Sequence, residues 1–192
     1  MYEIGGAQTD GELEQIVALQ RANHVEVVGA EERVSQGFVS LRHDVGLLRE
    51  MGERWPHVVA RVRGTGEVAG YALVMERRFR ERFTLLEPMF ERLEVVEFEG
   101  RGIEAYRWYV MGQVCVGAAH RGRGLVERMY EGHRAQMGGE FDLMITEIAR
   151  TNTRSLRAHE KAGCVVIDEY GAEDGSEWVV IALDLRGGAG RA

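Results

Sequence analysis

The chain has 192 residues, of which 45% are hydrophobic and 29% charged, a composition that fits one globular domain over 1–192 and excludes wholesale disorder. Its formal net charge of −7 argues against a broad nucleic-acid surface, so no nucleic-acid partner is expected. The longest uncharged run, 108–120, is too short for a bilayer span, which needs roughly 20 residues.

The cysteines and the N-terminal residues indicate the cellular compartment in which the protein is expected. Cys115 and Cys164 are far apart and neither belongs to a C-x-x-C pair, so we expect no structural zinc site and no metal. The N-terminus carries Glu3 and Asp10 and has no apolar segment of the kind found in signal peptides. We therefore expect free thiols, a cytoplasmic location and no membrane partner.

The predicted elements begin with a helix. Residues 9–12, T-D-G-E, have the pattern of a capping box, with Thr9 as N-cap and Glu12 at N3. The apolar residues that follow share one helix face and predict a helix that ends near Asn23. After a loop, a second helix is expected over 45–51.

The middle of the chain combines a hairpin with a charged segment. Two β-rich runs, 57–63 and 68–75, are separated by G-T-G and predict a β-hairpin. Aromatic and leucine residues at spacings of three and four predict an amphipathic helix over 76–95, disturbed at Pro88.

The second half alternates strands and helices. The predictions, in order, are a strand over 106–116, a helix ending near 137, a strand over 141–148, a helix over 152–162 and strands over 164–170 and 178–185. This mixture predicts an α/β or α+β domain around one central sheet. The tail over 187–192 is expected to be frayed.

The most informative stretch is an apolar strand that runs into a glycine-containing turn and a helix, V-C-V-G-A-A-H-R-G-R-G-L-V over 114–126. Glycines let a backbone approach a ligand closely, and the first N–H groups of a helix lack intrahelical partners. The stretch therefore predicts an anion site suited to a phosphate or diphosphate, with Arg121 and Arg123 adding charge. The alternative is a surface turn that needs glycine only for its dihedral angles.

Two motifs resemble those of the GNAT superfamily of acetyl-CoA-dependent N-acetyltransferases. Residues 121–126 are similar to the family's R-x-x-G-x-[GA] diphosphate motif, with Val126 in place of the final Gly or Ala. Residues 152–164 are similar to its N-x-x-[AS]-x-x-x-Y-x-x-x-G-F pattern, with His159 in place of Tyr and Cys164 in place of Phe.

The resemblance covers 58–185 and implies a central mixed, mostly antiparallel sheet, flanked by helices and splayed between its fourth and fifth strands. It also implies acetyl-CoA as co-substrate, with the pantetheine arm paired to the fourth strand. The cofactor-binding residues implied in this way are Val114, Cys115, Val116, Arg121, Gly122, Arg123, Gly124, Leu125, Val126, Asn152 and Ser155.

Two residues are candidate catalytic groups. His159 stands where the family has a tyrosine that serves as general acid to the leaving thiolate, and histidine can donate a proton near neutral pH. Glu147, near the end of the fifth strand, is a candidate base for the substrate ammonium, directly or through water. The alternatives are a helix histidine without a role and a solvated carboxylate at a strand end.

Residues that would contact the acceptor are less defined. Gln113 and Tyr109 are predicted to share one face of the fourth strand with Cys115 and are candidates for the acceptor pocket, with core packing or cross-strand pairing as the alternative for Tyr109. Residues 43–44, His-Asp, are a weaker candidate, with a loop or a helix cap as the alternative. Cys115 itself is interpreted as a small buried thiol rather than a nucleophile.

The sequence as a whole predicts an enzyme that passes an acetyl group from acetyl-CoA to a primary amine, in a small molecule or a peptide, by direct attack. It does not identify the amine, and it leaves a homodimer open. Two alternatives remain: a non-catalytic acyl-CoA-binding or sensory module of the same fold, and an unrelated phosphate-ligand binder whose R-G-R-G turn matches by chance.

Overall fold

The computed structural model describes residues 1–29, 33 and 37–186. Its strands are β1 (Tyr2–Gly6), β2 (Val58–Val62), β3 (Val68–Met75), β4 (Glu97–Phe98), β5 (Arg101–Gly102), β6 (Trp108–Val116), β7 (Leu143–Ala149), β8 (Val165–Gly171) and β9 (Glu177–Asp184). Its described α-helices are α1 (Asp10–Asn23), α2 (Val45–Gly52), α3 (Glu87–Leu93), α4 (Leu125–Met137) and α5 (Thr153–Lys161). The predicted frayed tail over 187–192 lies outside the described residues.

Seven strands form one sheet in the order β1-β2-β3-β6-β7-β9-β8, while β4 and β5 pair separately. Neighbouring strands of the large sheet run antiparallel, except β6 and β7, which run parallel. The prediction of a mixed, mostly antiparallel sheet flanked by helices is confirmed.

The parallel strands β6 and β7 separate soon after they meet. Their residue pairs are Trp108↔Leu143, Tyr109↔Met144 and Val110↔Ile145. Beyond these pairs, nothing in the described ranges joins the two strands by β-pairing, so one edge of β6 faces a gap with backbone polar groups that strand pairing does not satisfy. These are the fourth and fifth strands of the large sheet, where the splay was predicted.

Strand β6 also carries a bulge at the splay. The pairs on either side of it are Ala72↔Val114 and Val74↔Met111. The extra residue in β6 reverses the alternation of its side chains. Tyr109 packs beside α4, whereas Gln113 and Cys115 contact the opposite side of the sheet, so the prediction that all three share one face is wrong.

Helices cover both faces of the sheet. On the α4–α5 face, side chains such as Met129 and Ile148 form one core. On the other, which we call the α1–α3 face, the cores include Ile16 of α1, Leu48 of α2 and Phe90 of α3. Side chains of β6 and β7 thus reach two separate packing environments.

The segment before α3 differs from the prediction of one helix over 76–95. It forms two 3₁₀ turns, Arg77–Arg82 and Thr84–Leu86, and then α3. Pro88 lies in the first turn of α3, where its missing N–H costs no hydrogen bond. The proline therefore begins a short helix rather than disturbing a long one.

Strand β1 was not predicted. Its sequence, Y-E-I-G-G, joins two strand-favouring residues, Tyr2 and Ile4, to two glycines, which strands disfavour. It is stabilised by antiparallel pairing with β2, more than fifty residues away in the chain. The capping box of α1 is confirmed: Thr9 Oγ1 accepts from the Glu12 N–H, and Glu12 Oε2 accepts from the Thr9 N–H, each at 3.2 Å. The β2–β3 hairpin is confirmed as well.

Candidate functional site

The turn between β6 and α4 forms the first part of the site. Gly122 and Gly124 have φ angles of 73° and 66°, a left-handed conformation that glycine adopts without strain. Gly124 is the N-cap of α4, and among the described residues no side chain caps this helix. The first N–H groups of α4 therefore remain available at the positive end of the helix dipole.

These N–H groups border a cleft of about 540 Å³, a size typical of small-ligand sites. We call it the large cleft. The predicted cofactor residues that line it are Val114, Cys115, Val116, Arg121, Gly122, Gly124, Leu125, Val126, Asn152 and Ser155. Arg123 does not line the large cleft, and its guanidinium donates a hydrogen bond to Ala119 O at 3.4 Å.

Helix α5 gives the large cleft a cationic wall that sequence reasoning missed. Arg154, Arg157 and Lys161 line this wall, at spacings of three and four residues that place them on one helix face. The spacing was present in the sequence and could have identified them. Glu127 is the acidic side chain among the described lining residues, so the balance of charge favours an anionic ligand.

Arg121 also lines the large cleft and has structural partners there. Its Nε donates to Val116 O at 3.2 Å, and its Nη2 donates to Asn23 Oδ1. The side chain thus connects the end of β6 to the end of α1 while it adds positive charge to the large cleft.

Asn152 holds the start of α5. Its Oδ1 accepts from the Ser155 N–H at 3.3 Å, the N-cap role that the sequence suggested, and its Nδ2 donates to Phe38 O at 3.3 Å. Gly37 lies close by with φ 77°, and a Cβ at that position would come within 2.8 Å of Asn152 Oδ1. Asn152 therefore joins the segment 37–41 to the large cleft.

His159 is 2% exposed and lies on α5. Its Nδ1 is 2.7 Å from Ser155 O, so the neutral ring donates from Nδ1 and leaves Nε2 without a proton. Nε2 is buried and has no hydrogen-bond partner among the described residues. Burial lowers the pKa of His159 to about 4, so the neutral ring predominates at pH 7.

A second opening, the small pocket, lies on the α1–α3 side of the splay. It shares six lining residues with the large cleft: Phe38, Val39, Val114, Asn152, Ser155 and His159. The two openings therefore meet in the gap between β6 and β7. A ligand can reach this gap from either face of the sheet.

Glu147 lies in the small pocket, two residues beyond the last β6–β7 pair. Tyr170 on β8 donates a hydrogen bond to its Oε2, and Oε1 is buried with no partner in the described part of the chain. Burial raises the pKa of Glu147 to about 7. A carboxyl group in this state can accept a proton near physiological pH.

The bulge divides the predicted acceptor residues between the two faces. Gln113 lines the small pocket; its Oε1 accepts from the Tyr71 hydroxyl at 2.6 Å, and its Nε2 donates to Leu41 O at 3.0 Å. Tyr109 instead donates to or accepts from His133 Nδ1 at 2.8 Å in the core of the α4–α5 face.

Two other candidates have structural surroundings. Burial raises the pKa of the Cys115 thiol to about 12, so the reactive thiolate is scarce. Asp44 caps α2 by accepting from the Leu47 N–H at 2.8 Å, and His43 is hydrogen-bonded to Gln20. Neither His43 nor Asp44 lines the large cleft or the small pocket.

Cys115 and Cys164 are both free thiols. Within the described ranges, no helix has the length and apolar character needed to cross a membrane. The same residues contain no cluster of three or more His, Cys, Asp or Glu side chains placed to hold a metal ion.

No protein-family model matches the chain, and no curated protein matches it in sequence. Its structure is similar to the ribosomal-protein-S18-alanine N-acetyltransferase from Escherichia coli, with 12% identity, a TM-score of 0.60 and coverage of 96% of this chain and 94% of that one. A GNAT-family acetyltransferase from Streptococcus agalactiae gives 14% identity, a TM-score of 0.63 and 95% coverage of each chain. The spermidine N-acetyltransferase from Vibrio cholerae, in complex with CoA and spermine, gives 11% identity, a TM-score of 0.60 and 98% coverage of each chain. The fold is that of the GNAT acetyltransferases, as the two sequence motifs indicated.

Proposed function

We propose that this chain transfers an acetyl group from acetyl-CoA to the nitrogen of a primary amine. The gap between β6 and β7 carries the proposal, because it joins a cationic cleft on one face of the sheet to a pocket with one carboxyl group on the other. Such a passage lets two substrates approach the same point from opposite sides, which is what direct transfer requires.

The residues of the large cleft fit the parts of acetyl-CoA. The N–H groups at the start of α4, with Gly124 before them, suit the diphosphate. The cationic face of α5 suits the remaining phosphate. The open edge of β6 over Val114–Val116 offers backbone groups to the amides of the pantetheine arm.

In the proposed reaction, acetyl-CoA supplies an activated acetyl thioester. The amine nitrogen forms a bond to the acetyl carbon as the carbon–sulfur bond breaks. The ammonium gives its first proton to Glu147 before the attack, and the nitrogen loses a second proton as the new bond forms. The bare Nε2 of His159 accepts this second proton and passes it to the sulfur, whose developing negative charge raises the pKa of the imidazole.

Binding of acetyl-CoA tests the first half of the proposal. Gly124→Asp would place a carboxylate beside the diphosphate, and we expect it to abolish the thermal shift that acetyl-CoA causes in the wild type. A ligand at 100 times its dissociation constant adds about 2.7 kcal/mol to the free energy of unfolding. The proposal would be contradicted if neither acetyl-CoA nor CoA raised the melting temperature of the wild-type protein.

Two control variants separate charge from backbone strain. Gly124→Asn has the size of Gly124→Asp without its charge, and we expect it to retain part of the shift. Gly66→Asp lies in the β2–β3 turn with φ 73° and open space around its Cβ position, so it reproduces the left-handed strain away from the large cleft. It should retain the full response to acetyl-CoA.

The same measurements distinguish the alternatives. A chain that binds phosphate ligands in general would respond to ATP or NAD as strongly as to acetyl-CoA. A non-catalytic acyl-CoA-binding module would bind acetyl-CoA but release no CoA with any amine. Glu147 in the small pocket favours catalysis, because cofactor binding alone does not require a carboxyl group there.

A further inference from the structure

The small pocket offers little room, and its lining combines apolar side chains with a smaller set of polar ones, among them Ser40 and Thr146. Its volume is about 80 Å³, enough for roughly six groups of the size of water. Its walls include Leu41, Leu85, Leu86, Met89 and Trp178. Hydrocarbon groups leave water favourably when they enter such a site, so the pocket suits a compact apolar substituent.

The charges around the small pocket have one sign. Glu147 is its charged lining residue, since no Arg, Lys or Asp lines it in the part of the chain that the structure describes. His159, at its border, is neutral at pH 7 because its ring is buried. An ammonium can pair with Glu147 Oε1, which has no other partner among the described residues.

A second charge on the acceptor would have no counterpart. A carboxylate or phosphate entering the small pocket would approach Glu147 with no cation to offset it, because the cations of α5 line the large cleft instead. The second ammonium of a diamine would find no second carboxylate, because Glu147 is the acidic residue that lines the pocket in the described part of the chain. Amines of both classes should therefore bind more weakly than an amine with an uncharged substituent.

We propose that the acceptor is a compact primary amine with an uncharged, mainly apolar substituent, an inference that rests on the acetyl transfer proposed above. Its ammonium pairs with Glu147 Oε1, while the Tyr170 hydroxyl holds Oε2 and fixes the carboxyl plane. Glu147 then receives one proton from the nitrogen, the nitrogen–carbon bond forms and the carbon–sulfur bond breaks. The second proton that the nitrogen loses passes through His159 Nε2 to the sulfur, so CoA leaves as the thiol.

Matched pairs of amines test this directly. Isoamylamine and L-leucine differ by one carboxylate, and leucinamide restores a neutral group of similar size. Pentylamine and 1,5-diaminopentane differ by one amino group. We expect isoamylamine and pentylamine to exceed leucine and the diamine at least tenfold in kcat/KM, and leucinamide to exceed leucine.

Calorimetric binding of the same amines to the CoA-loaded protein gives a readout that does not depend on turnover. The order of affinities should match the order of kcat/KM. Leucine or the diamine binding as well as its uncharged partner would overturn the inference. So would acetylation of a peptide N-terminus when the small amines do not bind.

A substitution at the mouth of the small pocket gives a gain of function. Leu85 is 42% exposed, so replacement there spares the core. Leu85→Lys adds a cation and should narrow the preference for isoamylamine over leucine at least threefold, whereas Leu85→Met should keep it. An unchanged preference in Leu85→Lys would count against the assignment of this pocket to the acceptor.

Failure of the inference and failure of the proposed function give different results. If acetyl-CoA binds and CoA is released with a carboxylated amine or a polyamine, acetyl transfer stands and this acceptor class is wrong. If acetyl-CoA does not bind, the proposed function is wrong and the acceptor assignment is overturned with it.

Discussion

The two faces of the sheet encode their sites in different ways. On the α4–α5 face, the large cleft depends on a short run of consecutive residues, 121–126, and on one helix face. On the α1–α3 face, the small pocket is assembled from Leu41, Leu85, Gln113 and Glu147, which come from four separate segments. A phosphate-binding turn needs a fixed local backbone, whereas an acceptor pocket needs only side chains that packing brings together.

The sharpest test of this difference is Glu147→Gln, which changes the small pocket alone. We expect kcat/KM to fall by about 10²–10⁴, the usual range for loss of a general base, with the dissociation constant of acetyl-CoA unchanged. The base must be ionised, so the wild-type rate should rise as pH increases through about 7. In Glu147→Gln this rise in rate near pH 7 should disappear, and only the rise due to deprotonation of the amine should remain.

A matched control for that variant is Glu91→Gln, an exposed carboxyl on α3. It should leave both kcat/KM and the pH profile as in the wild type. If Glu147→Gln also retained the wild-type profile, the proton would pass to water, and the small pocket would only bind the amine.

The difference between the faces also explains what the sequence could predict. The turn before α4 and the N-cap of α5 were identified because Gly124 and Asn152 act through local backbone geometry. For Tyr109 the sequence left an acceptor role and core packing open, and the structure shows core packing, because a bulge in β6, which depends on pairing with β3, reverses which side chains share a face. Periodicity within one strand carries no signal for such an insertion.

Burial is a second quantity that local sequence did not supply. The spacing of the second motif placed His159 correctly on α5, but the packing around it, which lowers its pKa to about 4, comes from other elements such as Tyr130 on α4. The same is true of Glu147, whose raised pKa depends on the small pocket closing around it.

Substitutions of His159 test the transfer of a proton to the sulfur on the α5 side of the gap. We expect His159→Ala to lower kcat by about 10², near the lower end for general acids, and to change the dissociation constant of acetyl-CoA much less. His159→Tyr should recover part of the rate, since a phenol keeps its proton to about pH 10. Burial already keeps the imidazole neutral, so the wild-type rate should show no separate loss near pH 6.5.

A wild-type kcat in His159→Ala would show that the ring is structural and that water protonates the sulfur. The thermal stability of each variant serves as the control, because His159 also packs against Tyr130 with ring centroids 5.4 Å apart.

The stability of the protein in acid depends on buried histidines on both faces of the sheet. Burial lowers the pKa of His43, His57 and His159 to about 4 and that of His133 to about 3. The unfolded chain therefore binds more protons below pH 6.5, and stability is lost as pH falls from about 6.5 to about 4, by roughly 3 kcal/mol for each such imidazole. Glu147 acts in the opposite sense, because its raised pKa favours the folded state when protonated.

Urea unfolding between pH 4 and pH 8 measures this loss. His43→Gln, on the α1–α3 side, and His133→Gln, on the α4–α5 face, should each flatten the dependence of unfolding free energy on pH. If only one of the two variants flattened the curve, only the histidine replaced in that variant would gain a proton on unfolding. A curve without any acid loss would contradict the burial of all four rings.

The smallest expected effect is that of Cys115→Ser. Direct transfer needs no enzyme nucleophile, and burial raises the pKa of this thiol to about 12. We expect kcat/KM to stay within about threefold of the wild type, with only a slight loss of stability from the change of a buried atom. A large loss of kcat, with acetyl-CoA binding intact, would instead indicate a covalent acetyl-enzyme.

The three residue pairs that join β6 to β7 also give the sheet a mechanical property. They lie at one end of the seam, Trp108–Val110 against Leu143–Ile145, so the strands β1-β2-β3-β6 and β7-β9-β8 form two blades that share a hinge. A small rotation about that closed end produces a larger displacement at the open end. The width of the gap can therefore change by rotation at the closed end without breaking any β-pair that the structure describes.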